Sequence, residues 1–128
     1  MKFLTWNING IKSSLKSGLV DLILSLNPDV VCLQEIKSSN VMIKGLDEYS
    51  QYFFSSQKPG YSGVGILSKD TPLSVQYGFG IEDFDCEGRC ITAEYDSFLF
   101  SYIFHPLVQV ETHSGIIGMM CSMHSFRI

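Results

Sequence analysis

The chain has 128 residues, of which 45% are hydrophobic and 17% charged, the size and balance of one folded domain rather than of a disordered segment. Nine Lys and Arg against thirteen Asp and Glu give a net charge of −4, which argues against a protein coated in basic side chains but leaves room for a local basic face. No apolar run reaches the ~18 residues of a membrane span, and the start lacks the apolar stretch and cleavage site of a signal peptide, so an intracellular protein with reduced cysteines is expected.

In chain order, Lys2 to Ile8 is apolar and aromatic-rich and predicts a buried strand that Asn9-Gly10 ends. Leu15, Leu19, Leu22, Ile23 and Leu26 recur at helical spacing, with Ser13 or Ser14 to cap the helix and Asn27-Pro28 to stop it. Asp29 to Gln34 is a second strand whose near-continuous apolar run suits a strand covered on both faces. Strand, helix, strand at this spacing predicts a βαβ unit. A short helical stretch near Val41 to Glu48 follows. Then come strands over Tyr52 to Ser56, Gly63 to Ser68, Leu73 to Tyr77, Arg89 to Tyr95 and Phe98 to Phe104, with turns at Lys58-Pro59-Gly60 and Asp85-Cys86-Glu87-Gly88. The expectation is an α/β layered domain with a largely antiparallel meander.

The character of the chain changes near residue 97. Residues 1–96 carry twenty of the twenty-two charged side chains, and 97–128 only Glu111 and Arg127. All three histidines fall in the tail, and Leu107 to Ile128 shows neither alternation nor a helical stripe.

Two strands end in polar groups, at Asn7 and at Gln34-Glu35-Ile36-Lys37. If these strands are parallel neighbours, Asn7 and Glu35 share the carboxyl edge of the sheet, where open α/β sheets place ligands. A carboxylate beside carboxamides suits a hard cation such as Mg²⁺. On spacing alone, the plainer account of Glu35 as a solvated loop acid and Asn7 as a turn former has the edge. Gly60-Tyr61-Ser62-Gly63-Val64-Gly65 fits neither a phosphate loop nor a nucleophile elbow and reads as a glycine-rich turn entering a strand, with Tyr61 at its tip. Cys86-x3-Cys90 with Cys121-x2-His124 could be drawn as a Cys3His zinc site, but the first pair lacks the two-residue knuckle spacing and Cys90 falls within a predicted strand, so zinc is disfavoured; His113-Ser114 has no acid or oxyanion motif beside it and is set aside.

The segments FLTWNINGIKS, NPDVVCLQEIK, GYSGVGILSK and EGRCITAEYDSF, in this order, resemble the exonuclease III family of abasic-site DNA endonucleases, within the wider endonuclease/exonuclease/phosphatase superfamily. The resemblance covers about residues 2–100. It implies the N-terminal half of a four-layer αββα sandwich (the two-sheet DNase I-like fold), with 101–128 as a non-family tail. It also implies a Mg²⁺-dependent DNA repair nuclease, Mn²⁺ being an alternative ion, that hydrolyses the phosphodiester 5′ to an abasic site and has a 3′–5′ exonuclease side activity. Its partner would be double-stranded DNA with abasic sites, not a membrane, and its compartment nuclear in a eukaryote and otherwise cytoplasmic.

By the same resemblance, Glu35 is the direct metal ligand, Asn7 helps hold the metal site, and Asn9 stands at a second metal-site position. Lys12, Gly60 and Tyr61 contact DNA. Gln34 and Lys37 support the glutamate, and Arg89 fixes the fold. After Phe100 the pattern fails. Phe104-His105-Pro106-Leu107 stands where the family has Tyr-x-Pro-Asn, so Phe104 replaces a tyrosine and Leu107 an asparagine. The later Asp-x-Asn and Asp-His motifs are missing. Charge, periodicity and resemblance are lost together, as a shifted reading frame or a truncation would leave them. The expectations are therefore an inactive chain and one sheet with little to cover its inner face. Two other readings stand beside this one. The first is another phosphodiesterase or phosphatase of the superfamily, which GYSGVG and EGRCITAEYDSF disfavour. The second is a non-catalytic or nucleic-acid-binding fragment.

Overall fold

The structure, a computed structural model, describes residues 1–104 and the backbone of 121–127. Two four-stranded sheets carry the chain, ordered β1-β2-β4-β3 and β5-β6-β7-β8. The first comprises β1 (Phe3–Asn7), β2 (Val30–Gln34), β3 (Ser50–Phe54) and β4 (Val64–Ser68). The second comprises β5 (Ser74–Tyr77), β6 (Cys90–Glu94), β7 (Phe98–Phe104) and β8 (Cys121–Arg127). Between β1 and β2 run α1 (Ile11–Lys16) and α2 (Leu19–Leu26), and a single turn of helix, α3 (Glu82–Asp85), precedes β6. β1 and β2 pair in parallel, which the long helical crossover between them allows. Every other pairing is antiparallel.

Strand alternation sends side chains of the first sheet to two different cores. On the helix side, Val31, Leu33 and Leu67 pack with Ile11, Leu19, Ile23, Ile43 and Leu46. On the other side, Val30, Cys32, Val64 and Ile66 meet Ile91, Ala93, Phe100, Tyr102 and Phe104 of the second sheet. The expectation of one sheet with an uncovered inner face is therefore corrected. The alternating apolar residues of β6 and β7 supply the second layer, and two buried hydroxyls bolt the layers together. Tyr95 donates to Ser68 Oγ at 2.8 Å near one end, and Gln34 Nε2 donates to the Tyr102 hydroxyl near the other.

Three local expectations also need correction. The stripe Leu15 to Leu26 is two helices, because Gly18 takes a left-handed φ of +91° and resets the helical phase. Leu19 and Ile23 are buried while Leu15, Leu22 and Leu26 remain over a third exposed. The cap of α1 is Gly10, and Ser13 and Ser14 sit inside the helix, both bonding back to the Gly10 carbonyl. Residues 41–48 form turns rather than a helix, with Gly45 at φ +84°, yet still bury Ile43 and Leu46. The Asn27 stop holds, as a left-handed C-cap. In the tail, where no periodicity is visible, the backbone of 121–127 forms β8 against β7. β7 itself runs through residue 100, so the quoted motifs and the tail share a strand.

Candidate active site

The parallel register sets Asn7 opposite Gln34, so Asn7 and Glu35 emerge together at the carboxyl edge of β1 and β2. Asn7 Nδ2 donates to Glu35 Oε1 at 2.8 Å, and Asn7 Oδ1 accepts the Asn9 backbone N–H at 3.0 Å. These two bonds fix which way the amide points. Lys37 Nζ stands 3.1 Å from Glu35 Oε2 and also donates to Asn9 Oδ1. One ammonium thus bridges the acid and the second carboxamide.

Backbone bonds hold this arrangement. Gly10 N–H donates to the Glu35 carbonyl at 2.7 Å and Ile11 N–H to the Ile36 carbonyl at 3.0 Å. On the other side, Ile36 and Lys37 N–H groups donate to the Gly63 and Ser62 carbonyls at 3.2 and 2.9 Å. The three loops after β1, after β2 and before β4 are therefore laced into one unit. Four of the six non-glycine residues with positive φ lie in it: Asn9, Glu35, Lys37 and Ser62, at +47°, +52°, +50° and +44°. Each left-handed residue costs about 1–2 kcal/mol, and such strain concentrates where side chains must be aimed rather than merely packed.

The Glu35 carboxyl is partly buried, and burial alone would raise its pKa. The hydrogen bonds from Asn7 and Lys37 and the charges of Lys37 and Arg89 outweigh that effect, and the net shift is downward. Glu35 is thus ionised at neutral pH.

A cavity of about 380 Å³ opens beside Lys37. Its lining brings together all three predicted DNA contacts, Lys12, Gly60 and Tyr61, with Lys37 and Lys58. This gives an acidic chain a local basic face. Two cations contact Tyr61: Lys58 Nζ lies 5.0 Å and the Arg89 guanidinium 5.8 Å from its ring centre. Arg89 Nη2 also donates to the Tyr61 hydroxyl at 3.3 Å, Nε pairs with Glu87, and the guanidinium covers the Phe104 ring at 5.6 Å. Arg89 therefore braces the Tyr61 turn as well as the sheet. Its reach across 28 residues leaves no local trace in the sequence.

Phe104 is buried against the first sheet. Gln34 donates to Thr5 Oγ1 at 2.7 Å and to Tyr102, so it ties strands and layers together behind the glutamate. His105, Leu107, His113 and Ser114 and the side chains of Cys121 and His124 lie outside the described residues. Cys90 is buried and Cys86 Sγ bonds the Asp83 carbonyl. Among the described residues no group of three or more His, Cys, Asp and Glu comes together to hold a metal. Glu35 and Asn9 nonetheless suit a hard divalent cation. They present a carboxylate and an amide oxygen that already share one positive group, and Mg²⁺ commonly takes only one or two carboxylates from the protein.

Residues 4–124 match the Endonuclease/Exonuclease/phosphatase family. The chain belongs to this family. It is 39% identical over 112 residues to the DNA repair nuclease APEX1 of Danio rerio, covering 83% of this chain and 36% of that protein. It is 40% identical over 112 residues to a DNA-(apurinic or apyrimidinic site) endonuclease of Dictyostelium discoideum, covering 83% of this chain and 30% of that protein. Among solved structures, the catalytic domain of Xenopus laevis APE2 superposes with a TM-score of 0.59 at 31% identity, over 73% of this chain and 38% of that one. The 3′ phosphatase NExo from Neisseria bound to a product DNA hairpin gives 0.61 at 28% identity, over 77% and 39%. The chain thus spans about a third of the length of the curated relatives it matches. The mixed α/β fold with two facing sheets agrees with these neighbours. No helix among the described residues is long and apolar enough to cross a membrane.

Proposed function

We propose that this chain carries the metal-binding and DNA-contacting part of a repair nuclease that hydrolyses the phosphodiester 5′ to an abasic site, with 3′–5′ exonuclease activity as its side reaction. The observation that carries this reading is the Asn7–Glu35 pair, held at 2.8 Å at the carboxyl edge of two parallel strands. The names of the relatives point the same way. Glu35 would hold Mg²⁺, or Mn²⁺ in its place, with Asn9 as the second oxygen and Asn7 keeping the carboxylate in position. Such an ion supplies electrostatic stabilisation of a phosphate undergoing attack. The ionised state of Glu35 at neutral pH suits that role. Lys12 and Lys58 attract the DNA backbone, and Tyr61, braced by Lys58 and Arg89, stands at the tip of the Gly60–Tyr61 turn.

Hydrolysis also needs a group that takes a proton from water, and Glu35, Asn7 and Asn9 are assigned here to holding the ion rather than to that role. The purified 128-residue chain is therefore expected to bind DNA and not to cleave it. The test is an end-labelled duplex with one abasic site, incubated with the chain and Mg²⁺, alongside an intact duplex and the E35A variant. Robust cleavage of the abasic strand, lost in E35A, would overturn the expectation that this chain is inactive while strengthening the assignment of Glu35. Equal retention of abasic and intact DNA under all salt conditions would overturn the lesion preference.

A further inference from the structure

We propose that Lys37 has two alternative partners, the Glu35–Asn9 oxygens and an anion in the adjoining cavity, and that a divalent cation on Glu35 transfers it from the first to the second. The proposal rests on the metal reading of Glu35 given above. Its observation is separate: one ammonium touches both candidate metal ligands and lines the basic cavity as well.

Lys37 Nζ sits 3.1 Å from Glu35 Oε2. A hard cation approaches a carboxylate oxygen to about 2 Å, so ion and ammonium on one carboxylate would repel at contact range in a partly desolvated site. That repulsion favours the departure of the ammonium. A lysine head is a compact charge on a flexible four-carbon stem and moves readily. The space open to it is the cavity, where Lys12 and Lys58 already stand. With that cavity empty, three ammonium groups would repel one another, which favours Lys37 on the carboxylate. With a phosphodiester there, the third positive charge becomes favourable.

Two consequences follow. Without an anion, Lys37 competes with the metal and weakens its binding. With an anion, Lys37 leaves more readily, so metal and phosphodiester strengthen each other's binding, and by linkage they do so equally. The site is then protected against loading by a divalent ion in the absence of a backbone phosphate.

The test is Mn²⁺ binding to the full chain, read from the free-ion signal in electron paramagnetic resonance, with and without dimethyl phosphate as a weakly chelating phosphodiester probe. Wild type, E35Q, K37Q and K37R are compared. K37Q should bind Mn²⁺ about fivefold more tightly than wild type without the probe. The probe should tighten Mn²⁺ binding to wild type and K37R but leave K37Q unchanged. Equal Mn²⁺ affinity in wild type and K37Q, or equal tightening by the probe in both, overturns the proposal while the metal site stands. Binding that persists in E35Q, or no binding by any variant, removes the metal reading and the proposal with it. Should K37Q fail to melt cooperatively, the wild-type chain labelled with ¹⁵N-lysine gives the second measurement. The Lys37 Nζ resonance should shift as Mg²⁺ is added, and an unmoved resonance at saturating Mg²⁺ overturns the transfer.

Discussion

Gly63 is the position where backbone conformation and packing combine most directly to hold the site, and G63A tests that combination. Gly63 has a φ of +88°, and an added Cβ would lie 2.6 Å from Ile36 Cγ1 and 3.3 Å from the Phe54 carbonyl oxygen. A left-handed alanine costs about 1–2 kcal/mol. Forcing a methyl into a filled space typically costs a further ~1–3 kcal/mol, and Ile36 is fully buried with little room to retreat. The sum is about 2–5 kcal/mol, against a total stability of about 5–15 kcal/mol for a domain of this kind. For a chain between the small and mid-sized classes this lowers Tm by roughly 8–20 °C. The control is G60A. Gly60 is also left-handed, at φ +69°, but nothing lies within 4 Å of its added Cβ, so only the conformational cost applies. Urea and thermal melts of both variants, followed by far-ultraviolet circular dichroism, separate the two contributions. Equal destabilisation in G63A and G60A would refute the claim that the Gly63 strap is wedged against Ile36. Because the Gly63 carbonyl accepts the Ile36 N–H, G63A should also weaken Mn²⁺ binding at Glu35 while G60A leaves it unchanged.

Three further predictions address the charge, the layers and the helix break. Glu35 is held below its ordinary value, so its ionisation contributes stability that is present above the unfolded carboxyl pKa and lost as pH falls through the lower folded value; the Tm difference between wild type and E35Q should therefore be largest near neutrality and shrink on acidification, and a difference that grows in acid would contradict the downward shift. I91A, which empties a fully buried position between the sheets, should cost about 2–5 kcal/mol in urea melts, whereas L24A, half exposed on α2, should stay within about 0.5 kcal/mol. L19A should destabilise strongly and L15A weakly, because Leu19 is buried and Leu15 over a third exposed; equal losses would mean that the two helices present one continuous stripe.

The features legible in the sequence share a physical origin. β1, β2 and the Asn7–Glu35 meeting follow from strand period and a parallel register, which place residues at strand ends without reference to anything distant. The helix break was not legible, because Gly18 within a leucine stripe is compatible with a weakened helix and with a left-handed joint. Residues 41–48 show why short spacing misleads: Ile43 and Leu46 are three apart, as a helix would place them, yet two turns sink the same side chains into the core. Lys37 meets Asn9 where Asn9, Glu35 and Lys37 all adopt left-handed backbone, a conformation that local propensity favours for Asn9 but not for Glu35 or Lys37. The brace from Arg89 to Tyr61 and Phe104 joins three separate segments, and only the packing of the two sheets brings them together.

Among the described residues, the hydrogen bonds that aim Glu35 and its loop involve Asn7, Gly10, Lys37, Ser62 and Gly63. The acid is therefore fixed by the helix-covered sheet and its three laced loops, while the second sheet acts on it at a distance, through the Gln34–Tyr102 bond and the Arg89 charge. Binding and turnover should separate on that account. Metal affinity should survive a change confined to the inner face of the second sheet, such as A93G, as long as the domain stays folded, because no ligand is displaced. It should fail with G63A, which leaves every candidate ligand in the chain and moves only the strap beneath one of them. If A93G abolished Mn²⁺ binding at a temperature well below its melt, the ligand geometry would depend on sheet packing and not on the loops. That result would place the origin of the site in the contact between the layers.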